Sequence, residues 1–294
     1  MNSNLRNRLN KIAQEMGKGL SDLAKSTVSL LRLCVLSRLS VANKSRRYGS
    51  LRQHPSCTVL ANGPSLKAAL EDNEVMLDNV DIFCVNMFCE SEYFWELKPR
   101  FYYIVDGAYF SDAPDERNKV LIEKLYKALM KVDWDMYLCI SSTGANGGVL
   151  RKLDNAKIHI LLWNTTTFEG FRGLCHTIFR SQMGMPRCQT VANFALVAAI
   201  NMKYEKVYLY GADHTWTRDL FVDDDNVVCY GDRHVYNTGL TVIKHTRNMT
   251  QILSDFSNMF ASHIIIRDYA DVENVKIINK TKGSFVDAYN RNDK

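Results

Sequence analysis

Short apolar, β-branched runs alternate along this chain with stretches of helical periodicity, and most of the runs close on a polar residue. The runs are Cys57–Ala61, Asp81–Phe88, Phe101–Asp106, Met136–Ser142, Lys157–Trp163 and Lys206–Gly211, with a last one at Lys276–Ile278. Helical patterns fill Glu116–Val132, Phe168–Gln182, Val191–Met202 and Thr238 to about His263. Alternation of this kind predicts an α/β fold with a mostly parallel sheet covered on both faces, because parallel neighbours need a crossover that a helix supplies. Ligands of such sheets gather outside the carboxyl ends of the strands. Those ends hold Asn62, Asn86, Asp106, Ser141-Ser142-Thr143 and Asp213-His214, polar residues that a purely structural core would not require.

The 294 residues are 46 % apolar and 11 % aromatic, which excludes a wholly disordered chain, a collagen-like repeat and a disulfide-stapled miniature. No run of apolar residues is long enough for a conventional membrane span. The net charge of +5 is unevenly placed. Residues 1–53 hold eleven Lys/Arg and two acids, a charge of +9, so the remainder is −4. A mildly acidic globule argues against a nucleic-acid channel through it and leaves anionic partners to the arm. The eight cysteines form no Cys-x-x-Cys pair and mostly sit in apolar runs, as expected of reduced, buried thiols in a cytoplasmic protein. The polar, basic start has no hydrophobic signal region, which disfavours export.

The arm is itself patterned. Leu5, Leu9, Ile12, Met16, Leu20, Leu23, Thr27 and Leu30 recur every three to four residues, with Arg6, Arg8, Lys11, Lys18 and Lys25 mostly beside or opposite them. This is a basic amphipathic helix. It suits the inner face of a cytoplasmic membrane, where leucines bury and lysines meet anionic headgroups; packing on the globule or self-association, giving a homo-oligomer, are the other destinations. No nucleic-acid partner is expected. Residues 44–56 read as a linker, dividing the chain into an arm of residues 1–53 and a globule of 54–294.

Within the globule, Asn62-Gly63-Pro64-Ser65 joins a strand to a helix start, the geometry that points backbone N–H groups at an anion. Residues 211–236 hold the densest chemistry: Gly-Ala-Asp-His-Thr-Trp, then Asp223-Asp224-Asp225-Asn226, then a segment with His234 and Tyr236, together suited to a lid. Lys280 and Lys282 flank a turn ending in Gly283-Ser284 that suits a phosphate.

Taken together, Ala61-Asn62-Gly63-Pro64-Ser65-Leu66-Lys67, Asn86, the run Thr190–Asp213 and the C-terminal strand with Gly283-Ser284 resemble the bacterial sialyltransferases of glycosyltransferase family 42. Gly-Ala-Asp-His-Thr-Trp and Asn-Lys-Thr-Lys-Gly-Ser-Phe-Val-Asp-Ala-Tyr look still more like MptE-like, uncharacterised proteins of O-antigen and capsule clusters. The resemblance covers residues 57–290. It implies a Rossmann-like fold, a GT-A variant with a lid, and inverting, metal-free transfer of a sugar from a CMP-sugar to a glycan or lipid-linked acceptor in surface polysaccharide or lipopolysaccharide synthesis. Carried over by position, Asn62, Gly63, Ser65 and Asn86 hold the nucleotide, Thr190 lies near the donor and His234 is the general base. Asp106, Asp213, Thr215, Tyr236, Gly283 and Ser284 complete the donor site.

The sequence departs from that family where its first phosphate-binding tyrosine falls at Thr215, its third Asn at Asp106 and its Ser at Val191. The donor is therefore sialic acid, another CMP-activated acidic sugar or a different nucleotide sugar. His214, directly after Asp213, is a second candidate for the base. Asp223-Asp224-Asp225 and Asp133-Trp134-Asp135 fit a loose Asp-x-Asp pattern for Mg²⁺ or Mn²⁺, although a solvated loop fits them as well. A Mg²⁺-dependent, MptE-like diphosphate transfer and a non-catalytic nucleotide-binding scaffold are the competing functions. His54, His159, His176, His245 and His263 show no convergent neighbours in the sequence.

Overall fold

A computed structural model describes residues 3–144, 147, 152–232, 235 and 241–293. In chain order its elements are α1 (Ser3–Leu36), α2 (Leu39–Ser45), β1 (Ser56–Leu60), α3 (Ser65–Glu71), β2 (Val80–Val85), α4 (Glu92–Leu97), β3 (Phe101–Ile104), α5 (Glu116–Met130), β4 (Met136–Ser141) and β5 (Ile158–Trp163). There follow α6 (Arg172–Ser181), α7 (Val191–Asn201), β6 (Lys206–Tyr210), β7 (Leu220–Val222), β8 (Val228–Asp232), β9 (Thr241–Lys244), α8 (Met249–Val272) and β10 (Lys276–Asn279). Seven strands form one sheet in the order β10-β6-β1-β2-β3-β4-β5, and every pairing in it is parallel. This is the α/β class with a parallel sheet that the alternating pattern predicts, and it is Rossmann-like, as the resemblance implies.

Successive strand residues face opposite layers, as the two-residue period requires. Val59, Phe83, Tyr103 and Leu209 pack with α6, α7, α8 and Leu33 of α1. Leu60, Cys84, Tyr102 and Tyr208 pack with Leu66, Phe94 and Leu125 on α3, α4 and α5. All eleven residues of α7 are buried. A helix apolar all round fits only between layers, and α7 lies across β1, β2 and β3 beneath α8. The strand order reverses between β1 and β6, and at such a switch point the loops part and leave a crevice.

Four local expectations are corrected. The run Asp81–Phe88 stops as a strand at Val85, because Asn86 turns to φ +46° and opens a short 3₁₀ segment. The helix expected from Thr238 starts at Met249; Asn248 and Gln251 cap it reciprocally, and Thr241–Lys244 before it is the outer strand of an antiparallel β7-β8-β9 sheet. The acidic loop is the turn of that sheet: Asp223 accepts from the N–H groups of Asp225 and Val227 and pairs with Lys244 at 2.7 Å. Residues 44–56 are no free linker, since the Tyr48 hydroxyl donates to the Leu162 carbonyl and Arg100 donates to the Leu51 carbonyl.

The arm divides at its middle. Ser26 and Ser29 accept from the N–H groups of Phe171 and Glu169, Leu33 enters the core, and Asn164 holds the α1–α2 break at Arg38 from both sides. Gly170 has φ +132° and lies against α1, where a Cβ would stand 2.0 Å from the Ser26 hydroxyl. Earlier in α1, Ile12, Met16, Leu20 and Leu23 are 52–67 % exposed, an apolar stripe that the globule leaves uncovered. No helix among the described residues is long and apolar enough to cross a membrane.

Candidate active site

A cavity of about 1070 Å³ opens over the carboxyl ends of β6, β1, β2 and β3, at the switch point. It brings together Asn62, Gly63, Asn86, Asp106, Thr190, Asp213, His214 and Thr215, eight of the residues singled out from the sequence. Ser65, Gly283 and Ser284 lie outside its lining. His234 and Tyr236 lie outside the described residues; Val235 between them donates its N–H to the Asn62 carbonyl.

The Asn-Gly-Pro-Ser turn is built differently from the expectation. The Gly63 N–H donates to the Gly211 carbonyl, while the Ser65 N–H and hydroxyl donate to the Asp213 carboxylate at 3.3 and 2.8 Å. The Ser65 N–H at the start of α3 is therefore taken by the side chain of Asp213, three residues past the end of β6, and is not free for a phosphate. A Cβ on Gly63 would lie 2.0 Å from the Asp213 Oδ2 and 2.3 Å from the Gly211 carbonyl, so close approach is what demands glycine there. Burial raises the Asp213 pKa above the usual carboxylate value, with the Ser65 hydrogen bonds opposing the shift. Ser284 likewise ties two strands, donating to the Ala212 carbonyl and accepting from Asn279, and Lys282 pairs with Glu74 at 2.5 Å. The C-terminal turn thus clamps β6 to β10.

The two asparagines are different in kind. Asn62 Nδ2 donates to the Val85 carbonyl, which fixes the amide, and its Oδ1 is buried without a partner among the described residues. Asn86 Oδ1 is likewise buried and without a partner among the described residues, and its left-handed backbone is anchored by the Tyr102 hydroxyl donating to its carbonyl. Buried polar atoms without a partner are costly, and among the described residues they also include Asp81 Oδ1, the Tyr103 hydroxyl, Trp163 Nε1, Gln182 Oε1 and His245 Nε2; of these residues, the two asparagines are the ones that line the cavity. Asp106 accepts the Ala108 N–H, and Thr190 shares a reciprocal cap with Asn193 at the start of α7. Val191 and Ala192, in the first turn of that helix, also line the cavity.

Across from these strand ends stands an aromatic row. His214 has φ +51° and stacks on Trp216 with centroids 5.0 Å apart and planes at 20°; Trp216 stacks in turn on Phe256 of α8. His214 Nε2 is 3.0 Å from Nε2 of His263, which correlates two residues the sequence leaves unconnected. His263 is fully buried between Asn193 and the Tyr289 hydroxyl. Burial pushes the His214 pKa down to about 4 and holds that of His263 well below its ordinary value, with His214 adding to the shift. Both rings are neutral near pH 7, and the stability this neutrality supports declines as pH falls below about 6.5, where the unfolded imidazoles protonate first.

Charge is unevenly distributed on the lining. Among the described residues, Glu90, Asp106, Asp213, Asp219 and Asp255 face Lys124, Arg218 and Arg247. Lys124 is paired with Glu90 and Arg247 with Asp255, whereas Arg218 lies over the Phe285 ring at 4.5 Å. Among the described residues no cluster of three or more His, Cys, Asp or Glu side chains is arranged to hold a metal ion. Sequence reasoning passed over Arg218, Phe256, Asn193 and His263. Only Asn193 left a signal, standing three residues after Thr190 where a reciprocal cap partner belongs.

No family model and no curated protein sequence matches the chain. Among solved structures, that of the MAf glycosyltransferase from Magnetospirillum magneticum AMB-1 superposes with a TM-score of 0.47 at 13 % identity over 81 % of this chain. The chain spans 33 % of that protein's length.

Proposed function

We propose that this chain is a glycosyltransferase that takes a nucleotide-activated sugar in the cavity over β6, β1, β2 and β3. The observation that carries the reading is the pair of buried, unpartnered amide oxygens of Asn62 and Asn86 at adjacent strand ends of that cavity. A ribose hydroxyl or a base amino group supplies the donors these oxygens lack. Arg218 and the start of α7 supply positive potential for the phosphate. The sequence resemblance makes a CMP-linked acidic sugar the donor, a glycan hydroxyl the acceptor, inversion the stereochemical course and His234 the base. A cytoplasmic enzyme of bacterial surface polysaccharide synthesis fits these parts.

A second reading is favoured by the five carboxylates against three cations among the described lining residues. An anionic nucleotide enters such a cavity more readily with a divalent cation, as a Mg²⁺-dependent, MptE-like diphosphotransferase requires. Thermal denaturation with CMP, UDP, GDP and ATP, each with Mg²⁺ and with EDTA, separates the two. CMP raises the melting temperature in EDTA on the first reading; ATP does so in Mg²⁺ alone on the second. Silence to every nucleotide contradicts both.

The exposed stripe of α1 holds the enzyme on an anionic membrane, beside a lipid-linked acceptor. Lys11, Lys18 and Lys25 are exposed on the same helix as Ile12, Met16 and Leu20. Each basic residue near such a surface contributes about 1 kcal/mol. Removing residues 1–21 spares the Ser26, Ser29 and Leu33 contacts. It should weaken co-sedimentation with phosphatidylglycerol vesicles at least tenfold while leaving the melting temperature unchanged. Equal sedimentation of the truncated chain, or a stripe closed by a second copy in analytical ultracentrifugation, contradicts this role.

A further inference from the structure

We propose that His214 is a catalytic hydrogen-bond donor to the departing phosphate, locked in its Nδ1–H form by a relay from Tyr289 through His263. The relay crosses three elements. The Tyr289 hydroxyl is 3.0 Å from His263 Nδ1, and His263 Nε2 is 3.0 Å from His214 Nε2. His214, His263 and Tyr289 are all buried.

Two neutral imidazoles that share an N···N contact can bond only if one donates and the other accepts. If His214 donated from Nε2, His263 would carry its proton on Nδ1 and donate it to the Tyr289 oxygen. The Tyr289 O–H would then have no acceptor, because His263 Nδ1 is its partner among the described residues. A buried donor left unmade is the costly outcome. In the opposite sense every donor is used: Tyr289 O–H to His263 Nδ1, and His263 Nε2–H to His214 Nε2. Asn193 does not choose between the two. Its Oδ1 accepts the Thr190 N–H and hydroxyl, which turns Nδ2 toward His263, 3.3 Å from both ring nitrogens.

His214 therefore has its Nε2 lone pair occupied and its proton on Nδ1. Nδ1 has no hydrogen-bond partner among the described residues, and His214 lines the cavity. A neutral imidazole N–H is a hydrogen-bond donor to developing negative charge. Arg218, whose backbone N–H donates to the Thr215 carbonyl, lines the same cavity and brings positive charge to this stretch of its wall. This assignment rests on the glycosyl-transfer reading. In that reaction the acceptor oxygen forms a bond to the anomeric carbon and the bond from that carbon to the phosphate oxygen breaks. The electron pair stays on the phosphate, the acceptor's proton goes to the base, and His214 keeps its own proton while stabilising the phosphate oxygen.

The test uses the full chain with ¹⁵N-labelled histidine rings, with His214 and His263 assigned through His214→Asn and His263→Asn. Expected are His214 protonated at Nδ1, His263 protonated at Nε2, and an N–N coupling across the bond between them. His214 protonated at Nε2, or averaging between tautomers, overturns the proposal. In transfer assays His214→Asn, which keeps an N–H near Nδ1, should retain turnover within about tenfold, while His214→Leu loses about a hundredfold or more. Equal loss in both variants overturns the donor role. Failure of the glycosyl-transfer reading shows itself separately, as absence of turnover and nucleotide binding in the wild-type protein whatever the tautomer.

Discussion

Gly63→Ala will lower the melting temperature by roughly 5–10 °C and weaken nucleotide binding at least tenfold. The methyl group would enter space held by the Asp213 carboxylate and the Gly211 carbonyl, at 2.0 and 2.3 Å. Neither neighbour is the loose end of a flexible chain. Moving the carboxylate breaks the Ser65 hydrogen bonds, and moving the carbonyl breaks the Gly63–Gly211 bond between β1 and β6. Overpacking combined with a disturbed buried carboxylate costs on the order of 3 kcal/mol. Asn62 and Thr215 flank the same clasp in the sequence, so the distortion reaches the cavity. Gly173→Ala is the control, because nothing lies within 4 Å of a Cβ at that position in α6. Differential scanning calorimetry of the two variants measures the difference; an unchanged melting temperature in Gly63→Ala would refute the clasp.

The second large effect is on turnover. His214→Leu should slow transfer by about 10²–10³-fold, the size of effect seen on removing one donor to a developing oxyanion. Leucine removes the N–H and also the bond to His263 while filling similar space beside Trp216. The nucleotide still meets Asn62, Asn86 and Arg218, so its affinity should change far less than turnover. His159→Ala serves as the comparison, since that ring is exposed and faces Asp135 on the surface. Steady-state kinetics with calorimetric titration of both variants decide the point. Equal loss of affinity and turnover would make His214 a binding residue instead.

Much of the scaffold is legible because parallel strands write themselves as apolar runs with polar ends. Leu60 to Asn62 reads directly, and α7 is visible as an apolar stretch opened by Thr190; the β2 run reads on to Phe88 because Met87 and Phe88 are as apolar as the strand, which hides the turn at Asn86. The β7-β8-β9 sheet hides because Asp223-Asp224-Asp225 between its strands looks like solvated coil, and Thr241–Lys244 is short enough to merge with the helix after it. Local pattern also misjudged the turn at Asn62–Ser65. Its free N–H groups are a property of the isolated helix start, and Asp213, 148 residues from Ser65, removes it by tertiary contact. His263 lay out of reach for the same reason. It sits on the buried face of a long helix, and only the packing of α8 against α7 and β10 gives it His214, Asn193 and Tyr289 as neighbours. The segment at residues 44–56 has the composition of a linker, yet Tyr48 and Leu51 fasten it to the sheet edge.

In the proposed function the amide oxygens of Asn62 and Asn86 accept hydrogen bonds from a nucleotide. Calorimetric titration of the stabilising nucleotide into wild type and into Asn62→Ala and Asn86→Ala tests that directly. The predicted result is saturable binding to the wild-type chain, weakened at least tenfold by either substitution, with both variants still folded but melting somewhat lower in the absence of ligand, because Asn62→Ala loses the bond to the Val85 carbonyl and Asn86→Ala places alanine at φ +46°. Binding of equal strength in all three proteins, or none in the wild type, would contradict it.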